Sequence, residues 1–242
     1  WLGGRYRGKE PLYDLAFLKR WIKDHLAGQK YNCWSLMLNE AFPFDRQACV
    51  TFKGETRSSL TRAEYEEIVR FAREHFVEVI PAFQSGGHSA HLVEAYPELQ
   101  EPGYDHDQVN VLHPKYYEIL FSLYDDILAA TPGAKYFHIW HDEWWHTPKA
   151  EVKNEFQGQP RWRIFQGDLQ RQCEYFRKRG IRVMMHGDML SALHNGRPPF
   201  ETVKALDGLP REDLVITNWS AKAFPGSAKE FADKGFEVLD VL

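Results

Sequence analysis

The sequence predicts a parallel α/β fold of the (β/α)8 TIM-type barrel class, incomplete in this chain because about six strands are visible. Short apolar runs alternate with segments of helical spacing, which indicates βαβ units and a parallel sheet. Helix-to-strand connections are short, whereas the strand-to-helix connections 84–113 and 142–164 are long, as in barrels that build a site from these loops. The alternative is an open doubly wound sheet. It would favour a glycine-rich turn after the first strand, and the absence of that turn argues for a barrel without a nucleotide cofactor.

The elements follow from the two periodicities. Six apolar runs predict strands over residues 31–38, 77–83, 136–141, 181–186, 214–219 and 236–241. Helical spacing predicts helices over residues 12–27, 61–76, 114–130 and 165–179. Capping boxes, Thr61 with Glu64 and Ser227 with Glu230, are predicted to open the second helix and a short last one. Without a linker or repeat, residues 1–242 are predicted to form a single barrel domain, a fragment of a longer protein.

Composition excludes several classes of protein. Thirty basic against 34 acidic side chains give a net charge of −4, which argues against nucleic acid as the main partner. No apolar run approaches the roughly 18 residues of a membrane span. Three cysteines (Cys33, Cys49 and Cys173) cannot all pair within one chain, which excludes a disulfide scaffold and leaves the cellular location open. The 8 Trp, 11 Tyr and 16 Phe suit a site walled by flat rings.

Polar side chains collect at the carboxyl ends of the predicted strands. They are Asn39, Glu40, Gln84, residues 138–143, His186, Asp188, Asn218, Trp219 and Asp240. These ends converge on one mouth of a barrel, so the pattern indicates an enzyme or the remains of one. Strand alternation over residues 136–142 predicts that Phe137 and Ile139 face the helices, whereas His138, Trp140 and Asp142 face the barrel interior.

Adjacent carboxylates at a strand end can divide the work of acid–base catalysis. In Asp142-Glu143, one carboxyl would stay protonated as a general acid while the other positions a partner, and Trp140, Trp144 and Trp145 would supply the apolar surroundings. A helix cap or a solvated turn is the simpler alternative.

A metal site is a second alternative, because His138, His141 and His146 lie close in sequence. The order is H-x-E-x-x-H, however, and the spacing of a helical zinc site is H-E-x-x-H. No metal is therefore expected.

The ordered succession of motifs resembles the catalytic barrel of the family-20 β-N-acetylhexosaminidases, from about Leu12 to the C-terminus. The segments that carry the resemblance are KYN at 30–32, VIP at 79–81, GHS at 87–89, YPEL at 96–99, HIWHDE at 138–143, MMHGDM at 184–189 and TNW at 217–219. In the family these correspond to K-x-N, IPE…PGHS, YPEL, HxGGDE, WxDM and NW. The departures are Trp140 and His141 at the two glycines of the signature, Ala82 and Gln84 at the carboxylates of the PEID motif, and His186 at the tryptophan of WxDM.

The resemblance implies a retaining, substrate-assisted glycosidase that acts on terminal β-linked N-acetylhexosamine. Glu143 would be the general acid and base, and Asp142 would orient the acetamido group of the substrate. The residues expected to contact or support the sugar are His88, His138, Trp140, His186, Asp188 and Trp219. The partner would be an N-acetylhexosamine-containing glycan, with a second copy or flanking segments closing the barrel. A carbohydrate-binding barrel without turnover, or one with a different sugar specificity, is the rival hypothesis, and a metal-dependent hydrolase is a further one.

Overall fold

The computed structural model describes residues 14–51, 60–104, 107–145, 155–219 and 221–240. The chain divides into two compact units. The first comprises residues 1–83 and 118–138, and the second comprises residues 84–117 and 139–242. The single-domain organisation therefore stays a prediction. Within the described ranges, no helix has the length and apolar character needed to cross a membrane.

All six predicted strands are present. They are β1 (Cys33–Met37), β2 (Glu78–Ala82), β3 (Tyr136–His138), β6 (Arg182–His186), β7 (Leu214–Asn218) and β8 (Glu237–Asp240), and a small hairpin adds β4 (Glu155–Phe156) and β5 (Gln159–Pro160). The helices are α1 (Leu15–Arg20), continued by a π-helical segment (Trp21–Ala27), α2 (Arg62–Glu74), α3 (Ala90–Ala95), α4 (Tyr116–Ala130), α5 (Arg161–Arg177) and α6 (Ser227–Asp233). Short 3₁₀ segments occupy Asn39–Ala41, Pro97–Leu99, Asp188–Leu190 and Thr202–Gly208.

The first unit contains β1, β2 and β3 as parallel neighbours, with Ser35 paired to Ile80 in the register. Its helices cover this sheet through apolar faces of helical period. The buried residues of α2 are Tyr65, Ile68, Val69 and Ala72. The ring of Phe137 lies 4.7 Å from that of Tyr124 on α4, so Phe137 faces a helix as strand alternation predicts. The hydroxyls of Tyr65 and Thr131 share a hydrogen bond of 2.7 Å inside this core.

Strand β3 ends three residues before its predicted end. Trp140 and His141 have φ of 60° and 67°, which is left-handed backbone outside the strand region. The pleat therefore stops, and alternation no longer decides where Asp142 points. The prediction of a strand over residues 136–141 is wrong beyond His138 for this reason.

The second unit contains β6, β7 and β8 as parallel neighbours. Residues 139–140 run beside β6, because the N–H of Ile139 donates to the carbonyl of Met184 (2.9 Å) and the N–H of His186 donates to the carbonyl of Trp140 (2.7 Å). Helix α5 contacts β6 in the same unit. The residues that follow Trp140, including Asp142 and Glu143, therefore begin at the carboxyl end of β6.

Three helix starts differ from their predictions. Helix α4 begins at Tyr116, two residues after its predicted start at 114. Asp14 is the N-cap of α1 and accepts from the N–H of Phe17, while the predicted first two residues of this helix, 12 and 13, lie outside the described residues. Helix α5 begins at Arg161, four residues before its predicted start at 165.

The predicted capping box of Ser227 and Glu230 is wrong. Gly226 is the N-cap of α6 and has φ of 98°. The hydroxyl of Ser227 donates to Asn218 Oδ1 (3.1 Å), and the carboxylate of Glu230 accepts from Ser191 Oγ (2.7 Å). Both side chains therefore serve contacts distant in sequence, which a local motif does not reveal.

The capping box of α2 is present, and it yields a test of local stability. The N–H of Glu64 donates to Thr61 Oγ1 (3.3 Å), and the N–H of Thr61 donates to the Glu64 carboxylate (2.8 Å). Thr61→Ala is expected to lower the free energy of unfolding by about 1 kcal/mol, because an orphan amide at the helix start loses its acceptor. Denaturant titration measures the loss. Thr61→Ser keeps the hydroxyl and is the control, and equal losses in both variants would contradict the capping role.

Candidate active site

A hydrogen-bonded histidine–glutamate pair lies in the second unit. Glu143 Oε2 is 3.0 Å from His88 Nε2, and on the other side of the ring His88 Nδ1 lies 3.8 Å from Asp107 Oδ2, an ion-pair distance. The side chains of His88 and Glu143 are 35% and 34% exposed, so solvent reaches the pair. The imidazole of His88, which can carry a proton, therefore contacts the carboxylate of Glu143 where solvent reaches both groups.

The buried carboxylate of Asp188 joins three parts of this site. Its Oδ2 accepts from the backbone N–H of Glu143 (2.9 Å) and from the Asn195 amide (2.9 Å), and its Oδ1 accepts from the indole N–H of Trp219 (3.3 Å). Asp188 lies two residues after the end of β6 and is 2% exposed. It therefore fixes the backbone of Glu143 relative to the end of β6 and to Trp219.

Asp142 is oriented by an amide, and its backbone passes close to the loop before α3. Gln84 Nε2 donates to Asp142 Oδ1 (2.7 Å). A Cβ at Gly87 would lie 2.5 Å from the carbonyl oxygen of Asp142 and 3.0 Å from Trp144 Cα. Only glycine permits this approach, which brings the backbone before His88 against the backbone that carries both acids.

Aromatic rings stand beside these acids. The rings of Trp140 and His186 are 4.8 Å apart and nearly perpendicular, and those of His186 and Trp219 are 6.5 Å apart. The His194 ring lies 5.2 Å from that of Trp219 and stacks on Phe224 at 4.1 Å. Trp219 is 38% exposed, so part of this surface is open to a ligand. Flat apolar faces beside acidic groups are suited to sugar rings, which expose C–H faces between hydroxyls.

The hydrogen bonds of His186 define its tautomer. The single hydroxyl proton of Thr217 is donated to the carbonyl of Met185 (2.9 Å), so the contact of 2.9 Å between Thr217 Oγ1 and His186 Nδ1 is donated by the imidazole. Burial lowers the pKa of His186, which keeps the ring neutral. A neutral ring protonated on Nδ1 has a lone pair on Nε2 and can accept a hydrogen bond there.

The charges around the site shift two further pKa values. The carboxylates of Asp107 and Glu143 raise the pKa of His88 to about 10, so its imidazole is positively charged at neutral pH. Burial, followed by the negative charge of Asp142, raises the pKa of Asp188, while the N–H donors that face its carboxylate act in the opposite direction.

The segment 140–145 has strained backbone. Trp140, His141, Glu143 and Trp145 have φ of 60°, 67°, 48° and 62°, and none of them is glycine. Left-handed conformations of this kind cost on the order of 1–3 kcal/mol each and persist where the surroundings over-determine them. The two positions at which the sequence departs from the glycines of the family signature, 140 and 141, are thus positions where the backbone favours glycine.

Most residues expected at the site lie together in the second unit, and one does not. His88, Trp140, Asp142, Glu143, His186, Asp188 and Trp219 belong to that unit. His138 is buried at the end of β3 in the first unit, and its contribution to binding stays a prediction.

The metal alternative finds no support among the described residues. In that part of the chain no three His, Cys, Asp or Glu side chains are placed to hold a metal ion. His146 lies outside the described residues, and the imidazole of His141 is bonded to Asp168 (2.7 Å).

Three residues of this network were missed from the sequence. Asp107 and Asn195 lie in irregular segments, where no periodicity points to them. Asp168 had a usable signal, because it occupies the buried face of α5 three residues after Phe165 and one before Leu169. A carboxylate at a core position of an amphipathic helix indicates a buried partner.

Comparison with known proteins identifies the family. Residues 13–241 match the model of the glycosyl hydrolase family 20 catalytic domain. A β-hexosaminidase of Vibrio furnissii is 26% identical over 201 residues, which are 74% of this chain and 29% of that protein. The chain belongs to glycosyl hydrolase family 20, a family of glycosidases, and matches its catalytic domain.

Solved structures define the fold. A β-N-acetylhexosaminidase from Bacteroides fragilis superposes with a TM-score of 0.72 at 18% identity, covering 96% of this chain and 47% of that one. A mutant Streptomyces plicatus β-hexosaminidase in complex with the product GlcNAc gives 0.70 at 21% identity, covering 96% and 46%. The chain thus spans less than half the length of these relatives. The predicted fold class, a parallel barrel present in part, is confirmed, as is the family resemblance.

The charge of His88 provides a test by pH. Its pKa of about 10 lies above the ordinary 6.5, so the stabilisation from its ion pairs is complete below about pH 6.5 and is lost as pH rises through 10. We expect the His88 imidazole to titrate near pH 10 by NMR, and Asp107→Asn to move this titration to lower pH.

An exposed carboxylate on α5 provides the control for this titration. Glu174→Gln removes a charge that is paired with Lys178 and should leave the His88 titration unchanged. Titration of His88 near pH 6.5 in the wild-type protein would contradict the assignment.

Proposed function

We propose that the chain is the catalytic part of a hydrolase that removes terminal β-linked N-acetylhexosamine with retention of configuration. Family membership supports a glycosidase, and the Streptomyces plicatus relative binds GlcNAc as its product. The observation that carries the proposal is the pair Asp142–Glu143, in which each carboxylate has its own polar partner, Gln84 and His88 respectively.

In the first step Glu143 gives a proton to the glycosidic oxygen. The bond from C1 to that oxygen breaks, the leaving group departs as an alcohol, and the carbonyl oxygen of the substrate's 2-acetamido group forms the new bond to C1. In the second step water attacks C1 and gives its proton to Glu143, and the C1–acetamido bond breaks. The net result is hydrolysis with Glu143 reprotonated.

His88 supports this proton transfer by Glu143. Glu143 lies 3.0 Å from a positively charged imidazole, which itself faces Asp107. The cation stabilises the carboxylate that forms when the proton leaves. The exposure of both side chains makes the exchange with substrate and water feasible.

Asp142 would place the acetamido nucleophile. The amide of Gln84 orients its carboxylate, which can accept the acetamido N–H and balance the positive charge of the intermediate. Trp219, Trp140 and His186 would contact the sugar. His138 and Asp188 complete the proposed set, the latter by holding Glu143 and Trp219 in place.

A carbohydrate-binding barrel without turnover is the second candidate function. The bulky Trp140 and His141 at the glycine positions of the family signature favour it, because they change the surroundings of the acids while the aromatic surface is kept. Such a protein would bind sugar with an affinity that survives replacement of Glu143.

The two acids should respond differently to the leaving group of the substrate. Glu143→Gln is expected to lower kcat/KM on unactivated glycosides by about 10²–10⁴-fold, and far less on aryl glycosides whose leaving group needs no proton in the first step. Asp142→Asn should lower the rate for every leaving group, because each needs the acetamido nucleophile. The measurement is kcat/KM of the full-length protein on aryl and alkyl N-acetylhexosaminides.

Glu174→Gln is the matched control for loss of a carboxylate, because this side chain is exposed on α5. Equal losses for all leaving groups in both acid variants would contradict the roles. Turnover of substrates without the acetamido group would exclude substrate assistance, and binding without turnover would support the second candidate.

A further inference from the structure

The strained segment 140–145 is held by a fully buried polar cluster. His141 Nε2 donates to Asp168 Oδ2 at 2.7 Å, and neither side chain is exposed to solvent. The same carboxylate accepts from Tyr117 Oη (2.8 Å) and Gln172 Nε2 (2.9 Å). Ser85 Oγ lies 3.2 Å from His141 Nδ1 on the other side of the ring. His141 therefore has a polar partner at each ring nitrogen.

The imidazole is also tightly packed. A Cβ at Gly86 would lie 3.0 Å from His141 Cε1, and the rings of Trp144 and Phe165 lie 5.0 Å and 5.6 Å from the imidazole. The imidazole therefore cannot rotate without breaking these hydrogen bonds and ring contacts. The same contacts restrain the left-handed backbone of His141.

Ser85, His141 and Asp168 have the side-chain types of a hydrolytic triad, but their burial excludes that role. Ser85 and His141 have no exposed surface, and Asp168 is 1% exposed. A serine that no substrate reaches cannot act as a nucleophile. The cluster instead acts on the residues next to His141, which are Asp142 and Glu143.

A buried ion pair holds the other end of the segment. The indole N–H of Trp145 donates to Glu101 Oε2 (2.8 Å), and Arg161 Nη1 donates to Glu101 Oε1 (2.5 Å), with both charged side chains 3% exposed. The Arg161 guanidinium also lies over the Trp145 ring at 4.9 Å. Arg161 and Asp168 are both on α5, seven residues apart, which is about two helical turns.

We propose that α5 positions the acid pair, with His141 and Asp168 as positioning residues that fix the backbone between Trp140 and Asp142. This inference rests on the hydrolytic function proposed above. Because α5 holds the segment at His141 and, through Glu101, at Trp145, the two acids between them have a defined place despite the strained backbone. Loss of the His141–Asp168 bond should let the segment relax and move Glu143 relative to its substrate.

The test compares His141→Ala and Asp168→Ala with wild type in the full-length protein. A displacement of about 1 Å lowers rates by about 100-fold, so we expect kcat to fall by about 10- to 100-fold with KM changed by less than about threefold. The double variant should lose no more than either single one, because both remove the same bond. His141→Gln keeps a side-chain N–H that can reach Asp168 and should recover part of kcat.

Amide hydrogen exchange gives a readout that does not depend on turnover. The N–H of Glu143 is bonded to Asp188, and the N–H of Trp145 is bonded to Gln108 Oε1 (3.0 Å). Both amides should exchange faster in His141→Ala and Asp168→Ala. Leu169→Ala, a buried change on the same helix, is the control. It should lower the unfolding temperature while leaving kcat per folded molecule and these two amides unchanged.

The outcomes separate the two proposals. Suppose that the wild-type protein turns over substrate and that His141→Ala and Asp168→Ala have the same kcat as Leu169→Ala. The positioning role of His141 and Asp168 is then wrong, while the proposed hydrolytic function is retained. If wild type shows no turnover, the proposed function is wrong and exchange decides the positioning. Faster exchange at residues 143 and 145 would then support it, and exchange equal to that of Leu169→Ala would overturn it.

Discussion

The candidate site depends on one buried carboxylate. Asp188 accepts hydrogen bonds from the backbone of Glu143, the amide of Asn195 and the indole of Trp219. These donors come from three separate stretches of chain, and each would be left unpaired without it. Burial and the neighbouring charge of Asp142 raise the pKa of Asp188 and so destabilise its ionised form. The hydrogen bonds from Glu143 and Asn195 stabilise that form. The position of Glu143 thus depends on whether the hydrogen bonds to Asp188 outweigh the cost of burying its charge.

Around this carboxylate, the protein combines a strained backbone with rigid buried contacts. Four left-handed residues in the segment 140–145 would be unfavourable in isolation. They are accompanied by two buried contacts to carboxylates, His141 with Asp168 and Arg161 with Glu101. Breaking a buried pair leaves an uncompensated charge, so such contacts can hold a backbone that its own torsional preferences oppose. The same fold can therefore carry large side chains at positions where glycine would be the natural choice.

The sequence predicted the regular elements because their causes are local. The period of α2 and the capping box of Thr61 and Glu64 involve neighbours in sequence, and both are present. The predictions for the end of β3 and for the N-cap of α6 were wrong, because contacts with residues distant in sequence determine both boundaries. Trp140 leaves the strand region within a segment held by distant residues, and Glu230 bonds to Ser191 rather than to its own helix.

For the site, the sequence indicated the side chains that could react and two of those that hold them, Gln84 and Asp188, but not the others. Asp142 and Glu143 were recognisable as adjacent carboxylates after a strand. Asp107 and Asn195 could not be found, because their relation to His88 and Asp188 exists only after folding. Asp168 could have been suspected from its place on the apolar face of α5. Its partner His141 was identified only as one of several histidines near a strand end.

Gly87 shows that a position without a side chain can constrain a site as strictly as the residues that react. The space a methyl group would need there is already filled by the carbonyl oxygen of Asp142 and the main chain of Trp144. Every other amino acid would push these two main-chain stretches apart, whatever its polarity or size. A library of substitutions at residue 87 would therefore not rank by hydrophobicity or charge, since all nineteen replacements share the Cβ atom that causes the collision.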